Sequence, residues 1–79
     1  MKERYIACEV VAQTETDLAF CGRGLTFTEQ TGTVEHKVET DLWIPKSVID
    51  PEGLDAISDA ARGDRIEIYV AQWWLEDNT

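Results

Sequence analysis

The run Trp43-Ile44-Pro45-Lys46-Ser47 closes the clearest period in the chain. Upstream of it, Val34, Val38, Leu42 and Ile44 share one face of an extended segment, while Glu35, Lys37, Glu39, Asp41 and Trp43 share the other. Alternation of this kind predicts an antiparallel strand over residues 34–44 with one solvated face. Pro45 has no backbone donor and stops the ladder. His36 falls on the apolar face, where it reads as a half-buried structural residue. As the sole histidine it leaves no pair to bind a metal.

Downstream, Ser47-Val48-Ile49 leads into a helix with a well-formed start. Asp50 is a good N-cap, Pro51 fits the first helical position and Glu52 favours the first turn. Leu54, Ile57 and Ala61 recur at helical spacing, and Arg62-Gly63 supplies the stop. A final strand is predicted from Arg65 to about Trp74, with Ile66, Ile68, Val70 and Trp74 inward and Glu67, Tyr69, Ala71 and Trp73 outward. The tail Glu76-Asp77-Asn78-Thr79 is polar and reads as frayed.

Upstream, residues 4–13 alternate, with Ile6, Cys8, Val10 and Ala12 on one face and Tyr5, Ala7, Glu9 and Val11 on the other. The polar cluster Thr14-Glu15-Thr16-Asp17 supplies a turn into a second strand from Leu18 to Cys21. Gly22-Arg23-Gly24 permits a bulge or sharp bend, after which Leu25-Thr26-Phe27-Thr28 resumes the extended run. A turn is expected at Gln30-Thr31-Gly32, where Gly32 is free to adopt positive φ. The two glycines near Arg23 lack the length, following lysine and strand-to-helix context of a phosphate loop.

These segments give a mainly β domain with one short helix, in the order β-β-β-β-α-β. A small, strongly bent antiparallel barrel of SH3-like type fits that order, with an OB-like barrel as the alternative. An open antiparallel sheet packed on one helix fits it too. The 79 residues form a single domain, 1–79, with an ordered core of about 4–75.

Sixteen acidic residues against seven basic ones give a net charge of -9, which disfavours nucleic acid as a partner. The start Met1-Lys2-Glu3-Arg4 is followed by only a short alternating apolar segment, neither a signal peptide nor a membrane span. The expected location is cytoplasmic. In a reducing compartment Cys8 and Cys21 read as buried thiols rather than a disulfide.

No reaction is dictated by these residues. Most carboxylates fall on solvated faces instead of in a desolvated cleft, the cysteines lie inside strands, and His36 stands alone. The expectation is a non-enzyme with no catalytic residues, cofactor or metal. What remains is aromatic: by parity Trp43 and Trp73 point away from the core, and Tyr69 shares the outer face of the last strand. Such residues either line one groove, as in SH3 or OB domains, or are buried in a second small core.

Trp43-Ile44-Pro45-Lys46-Ser47, Gly63-Asp64 before the last strand, and Trp73-Trp74 resemble features of small bacteriophage and prophage proteins that share a Trp-Ile-Pro-Lys-Ser signature. The stretch from Thr26 to Thr33 is longer than in that group and the polar tail is curtailed. The resemblance implies a phage context and brings no catalytic residues with it. Two functions follow. The first is an acidic module that binds a host or phage protein, such as a basic nucleic-acid enzyme, through Glu35, Glu39, Asp41 and the exposed aromatics. The second is a single-strand-binding accessory stacking bases on Trp43, Trp73 and Tyr69, with Arg23, Lys37 and Lys46 nearby. The chain is expected as a monomer or a weak homodimer, the latter if residues 34–44 pair edge to edge.

Overall fold

The alternation at the start of the chain forms β1, Tyr5–Glu15, whose Cys8, Val10 and Ala12 are buried while Tyr5, Ala7 and Glu9 are exposed. The computed structural model describes residues 4–28 and 35–79. The turn expected at Gln30-Thr31-Gly32 lies outside the described residues, as does Val34. After β1 the chain reverses at Thr16, whose Oγ1 accepts from the N–H groups of Leu18 (3.3 Å) and Ala19 (3.1 Å). That side-chain turn leaves Leu18 82% exposed at its tip.

The segments on either side of Gly22-Arg23-Gly24 are one strand, β2, Ala19–Thr28, and not two. Gly24 takes φ +65°, a conformation that side chains disfavour, and the pairing register shifts there against both neighbouring strands. Buried positions consequently step from Phe20 and Gly22 to Leu25 and Phe27, a change of parity that keeps apolar side chains inward on both sides of the bulge.

Strand β3, Glu35–Pro45, pairs with β2 and ends the sheet, whose order is β3-β2-β1-β4, all antiparallel. Lys46 N–H donates to Leu18 O (2.9 Å), which makes the facing residues Ala19 and Pro45 a non-hydrogen-bonded pair. The N–H that Pro45 lacks would therefore point to the outer edge, where its loss costs no ladder bond. The edge is blunted by that proline, by Lys37, and by the irregularity between Val38 and Asp41.

A single 3-10 turn, Lys46–Val48, brings Ile49 onto the far side of β4 (Arg65–Ala71), where Ile49 bridges Val70 and Asp50 N–H donates to Tyr69 O (3.0 Å). Helix α1, Pro51–Asp59, starts there: Asp50 Oδ1 accepts from Gly53 N–H at 2.9 Å, with Pro51 in the first turn as expected. Ile57 is fully packed and Leu54 partly so. Gly53 lets the helix approach β4, because a Cβ there would lie 2.8 Å from Ile49 Cγ2 and 3.2 Å from Ile68 Cβ.

The last strand is shorter than its alternation suggested. It ends at Ala71, the rung opposite Tyr5, and the chain turns into α2, Gln72–Asn78. Seven residues cannot hold a helix by propensity alone. Burial of Trp74 and Leu75, about 1.5–3 kcal/mol for each side chain, supplies the missing stability. The tail is not frayed: Asn78 Nδ2 donates to Trp74 O (2.9 Å), and Thr79 Oγ1 bonds to Leu75 O.

The sheet is not closed, since β3 and β4 do not pair. The barrel expectation gives way to an open four-stranded sheet with two short helices, because the β2 segments merge and the chain after Ala71 buries its apolar side chains as a helix. One core joins Val10, Phe20, Leu25, Ile44, Val48, Ile57, Ile68, Trp74 and Leu75, drawing on every element.

Candidate functional site

The two outward tryptophans are half exposed, Trp43 at 50% and Trp73 at 52%. The register separates them from a shared groove. Trp43 faces Cys21, which faces Thr14 on β1, whereas Tyr69 faces Ala7 on the same strand. Seven steps along β1, roughly 23 Å at about 3.3 Å per residue, separate those two rungs. Trp73 follows Tyr69 on α2 and does not continue the outer face of β4 as a strand residue would. The aromatic set read from parity therefore falls into two places, Trp43 at one corner and Tyr69 with Trp73 near the other.

Around Trp43 the charges are mixed. Asp41 forms an ion pair with Arg23 (2.8 Å), and that guanidinium holds the Asp41 carboxyl below its ordinary value. Lys46 reaches across to Glu15 at 2.8 Å. Glu35 and Glu39 are exposed on β3, with Lys37 between them. This strip does not amount to a strongly acidic surface.

The denser negative charge lies elsewhere, in a place the alternation of β3 did not reveal. Residues 50–79 hold eight of the sixteen acids and two of the seven bases. Glu52, Asp55 and Asp59 are exposed on α1 at spacings of three and four, which places them along one helix face. That spacing was the available signal in the sequence. α1 begins beside β4, with its cap Asp50 donating its backbone N–H to Tyr69 O at 3.0 Å and Glu52 two residues on. The phenol is pushed above its ordinary value by Glu67 first, through charge and a hydrogen bond to Glu67 Oε1 (3.4 Å), then by burial, Glu52 and Asp50.

Neither thiol is poised for chemistry. Cys8 and Cys21 are both free and buried, and burial, with Glu67 adding, pushes the Cys8 thiol up to about 12. Burial followed by Asp41 also raises Cys21. His36 stacks on Phe27 with ring centroids 5.0 Å apart, in keeping with a half-buried structural residue. Among the described residues no group of three or more His, Cys, Asp or Glu is placed to hold a metal ion. A cleft of about 50 Å³ between β1 and the end of α1, lined by Ala12, Thr14, Phe20, Ile57, Ala60 and Arg62, has room for water but not for an organic ligand.

No protein-family model, characterised protein or solved structure matches this chain. Among the described residues no helix is long and apolar enough to cross a membrane.

Proposed function

We propose that this protein is a non-enzymatic interaction module that binds a basic protein through its acidic face. The observation that carries this reading is that Asp50, bonded through its N–H to Tyr69 O, and Glu67, bonded to the Tyr69 hydroxyl, adjoin the exposed acids Glu52, Asp55 and Asp59 of α1. A surface of one sign steers an oppositely charged partner and rejects polyanions. The Trp-Ile-Pro-Lys-Ser resemblance supplies the setting: the cytoplasm of a bacterium carrying a phage or prophage, with a host or phage nucleic-acid enzyme as the partner. The strip of Glu35, Glu39 and Asp41 beside Trp43 is a secondary contact in this reading, because Lys37 and Arg23 offset much of its charge.

Single-strand binding receives less support, since Trp43 and Tyr69 occupy separate ends of the outer face. The test is affinity capture from bacterial lysate with the protein and with a Glu52→Gln/Asp55→Asn/Asp59→Asn variant. A basic protein retained by the first, released by moderate salt and lost with the variant is the expected result. Equal capture by both forms, or saturable quenching of tryptophan fluorescence by single-stranded DNA, would overturn the reading.

A further inference from the structure

Strand β3 ends the sheet on one side, and both helices pack against β4 on the other. The alternation of hydrogen-bonded and non-hydrogen-bonded pairs settles which backbone groups the β3 edge offers. Ala19 and Pro45 are a non-hydrogen-bonded pair, so Cys21 with Trp43 and Arg23 with Asp41 are too. The N–H and C=O groups of Asp41 and Trp43 therefore point away from β2, toward an edge that no described strand covers. The devices that blunt this edge lie on either side of them: Lys37 and the irregularity after Val38 come before, Pro45 after. Between these, Asp41-Leu42-Trp43 is a plain open strand, with Trp43 half exposed on the outer face and Leu42 half-buried on the other.

A row of free backbone groups is covered by another strand, and the charges on β3 select how a second copy of this chain would supply one. Two copies related by a twofold axis pair antiparallel about it. An axis falling between two residues sets outward-bonding groups against inward-bonding ones and makes no ladder. An axis on Asp41 sets that acid against itself, one on Thr40 sets Glu39 against Asp41, and one on Glu39 sets Glu39 against Glu39. Like charges directly opposed are destabilising. An axis on Trp43 sets Asp41 against Pro45, which has no N–H to return. An axis on Leu42 has none of these faults. Asp41 then meets Trp43 of the second copy and exchanges both N–H···O bonds with it, and the same happens on the other side of the axis. Leu42 meets Leu42, Glu39 meets Pro45 and Lys37 meets Ser47, so no acid faces an acid. Each Asp41 carboxylate is moreover held by Arg23 at 2.8 Å.

We infer that this protein forms a weak symmetric dimer in which the β3 edges of two copies join at Asp41-Leu42-Trp43, about an axis on Leu42, so that the two sheets run on as one. The inference does not rest on the interaction-module reading. It leaves that surface free, because α1 lies against β4, at the outer end of each half. Leu42 faces its own copy in a non-hydrogen-bonded pair, where side chains come closest, and the Trp43 rings sit diagonally on the outer face within aromatic reach. The contact is short and belongs with weak interfaces. A net charge of -9 on each copy opposes it, and salt screens that repulsion. The dimer therefore tightens as salt rises, whereas capture of a basic partner weakens.

The test is sedimentation equilibrium of the full-length protein from micromolar to millimolar concentration at low and high salt, with NMR of the isotopically labelled protein over the same range. A monomer–dimer equilibrium about fivefold tighter at high salt is expected. Concentration-dependent shifts should centre on the amides of Asp41 and Trp43. Asp41→Pro removes an outward N–H without touching the ladder to β2, and Trp43→Glu sets an acid against Asp41 at a half-exposed position. Each is expected to weaken the dimer about tenfold, through two lost bonds in the first and opposed charges in the second. Glu52→Gln on α1 should leave it unchanged. Trp43→Glu keeps the test open should the Asp41→Pro protein not fold. Leu42→Cys, mildly oxidised with diamide, should give a disulfide-linked dimer. Protein that stays monomeric at millimolar concentration and high salt would overturn the inference, as would a dimer indifferent to Trp43→Glu or one whose shifts centre on α1 or β4.

Discussion

Gly22→Ala tests the tightest packing in the core. A Cβ on Gly22 would lie 2.2 Å from Val10 Cγ2 and 3.0 Å from Phe20 Cε2, and both neighbours are fully buried. Neither can swing into solvent, so the methyl must be accommodated by displaced side chains or by separation of β1 from β2. Overpacking of this size costs about 1–3 kcal/mol. Against it stands a gain of about 0.4–1 kcal/mol from the smaller freedom of the unfolded chain, available because Gly22 is not in the left-handed region. The net expectation is a loss of roughly 1–2 kcal/mol, a fall of about 4–16 °C in Tm at about 4–8 °C per kcal/mol. Urea unfolding with a common m-value measures it, and a double-mutant cycle with Val10→Ala assigns the cause. Removing the Val10 γ-methyls makes room for the new one, so the two changes together should cost at least about 1 kcal/mol less than their sum. A Gly22→Ala protein as stable as the parent, or an additive cycle, would refute the close-contact argument.

Two further outcomes follow from the packing. Asp50→Ala removes the only side-chain cap at the start of α1 among the described residues, and should cost about 1 kcal/mol in urea unfolding, whereas Asp50→Asn should cost much less. Cys8 is held protonated up to about 12 in the fold, while the unfolded chain releases its proton near 9.0, so the native state binds more protons between those values. Stability should fall with rising pH across that window by up to ~1.4 kcal/mol per unit. The measurement is the difference in pH dependence between the parent and Cys8→Ala, and parallel profiles would contradict it.

Local structure was largely legible. Alternation from Ile6 to Ala12 named the inward face of β1, Gly24 marked the bulge, and Asp50-Pro51 marked the start of α1. The end of the chain was not legible, because alternation through Trp73 and Trp74 is equally compatible with a strand continuing or with a short helix burying Trp74 and Leu75. That choice depends on whether a neighbouring strand is there to pair with residues 72–75. Among the described residues the β1–β4 ladder has its last rung at Tyr5 and Ala71, and Gln72 N–H donates to Arg4 O just beyond it.

The candidate site divides the same way. Periodicity and parity, which are properties of neighbouring residues, determined by themselves that Trp43 and Tyr69 face outward and that α1 carries acids along one side. Which outward residues meet was decided only by tertiary structure. Strand order put Trp43 and Tyr69 at separate ends of β1, and pairing of β1 with β4 set Tyr69 beside Ala7 across more than sixty residues of chain. The physical reason is that a period of two fixes the side of a sheet a residue occupies and carries no information about the strand it will lie against.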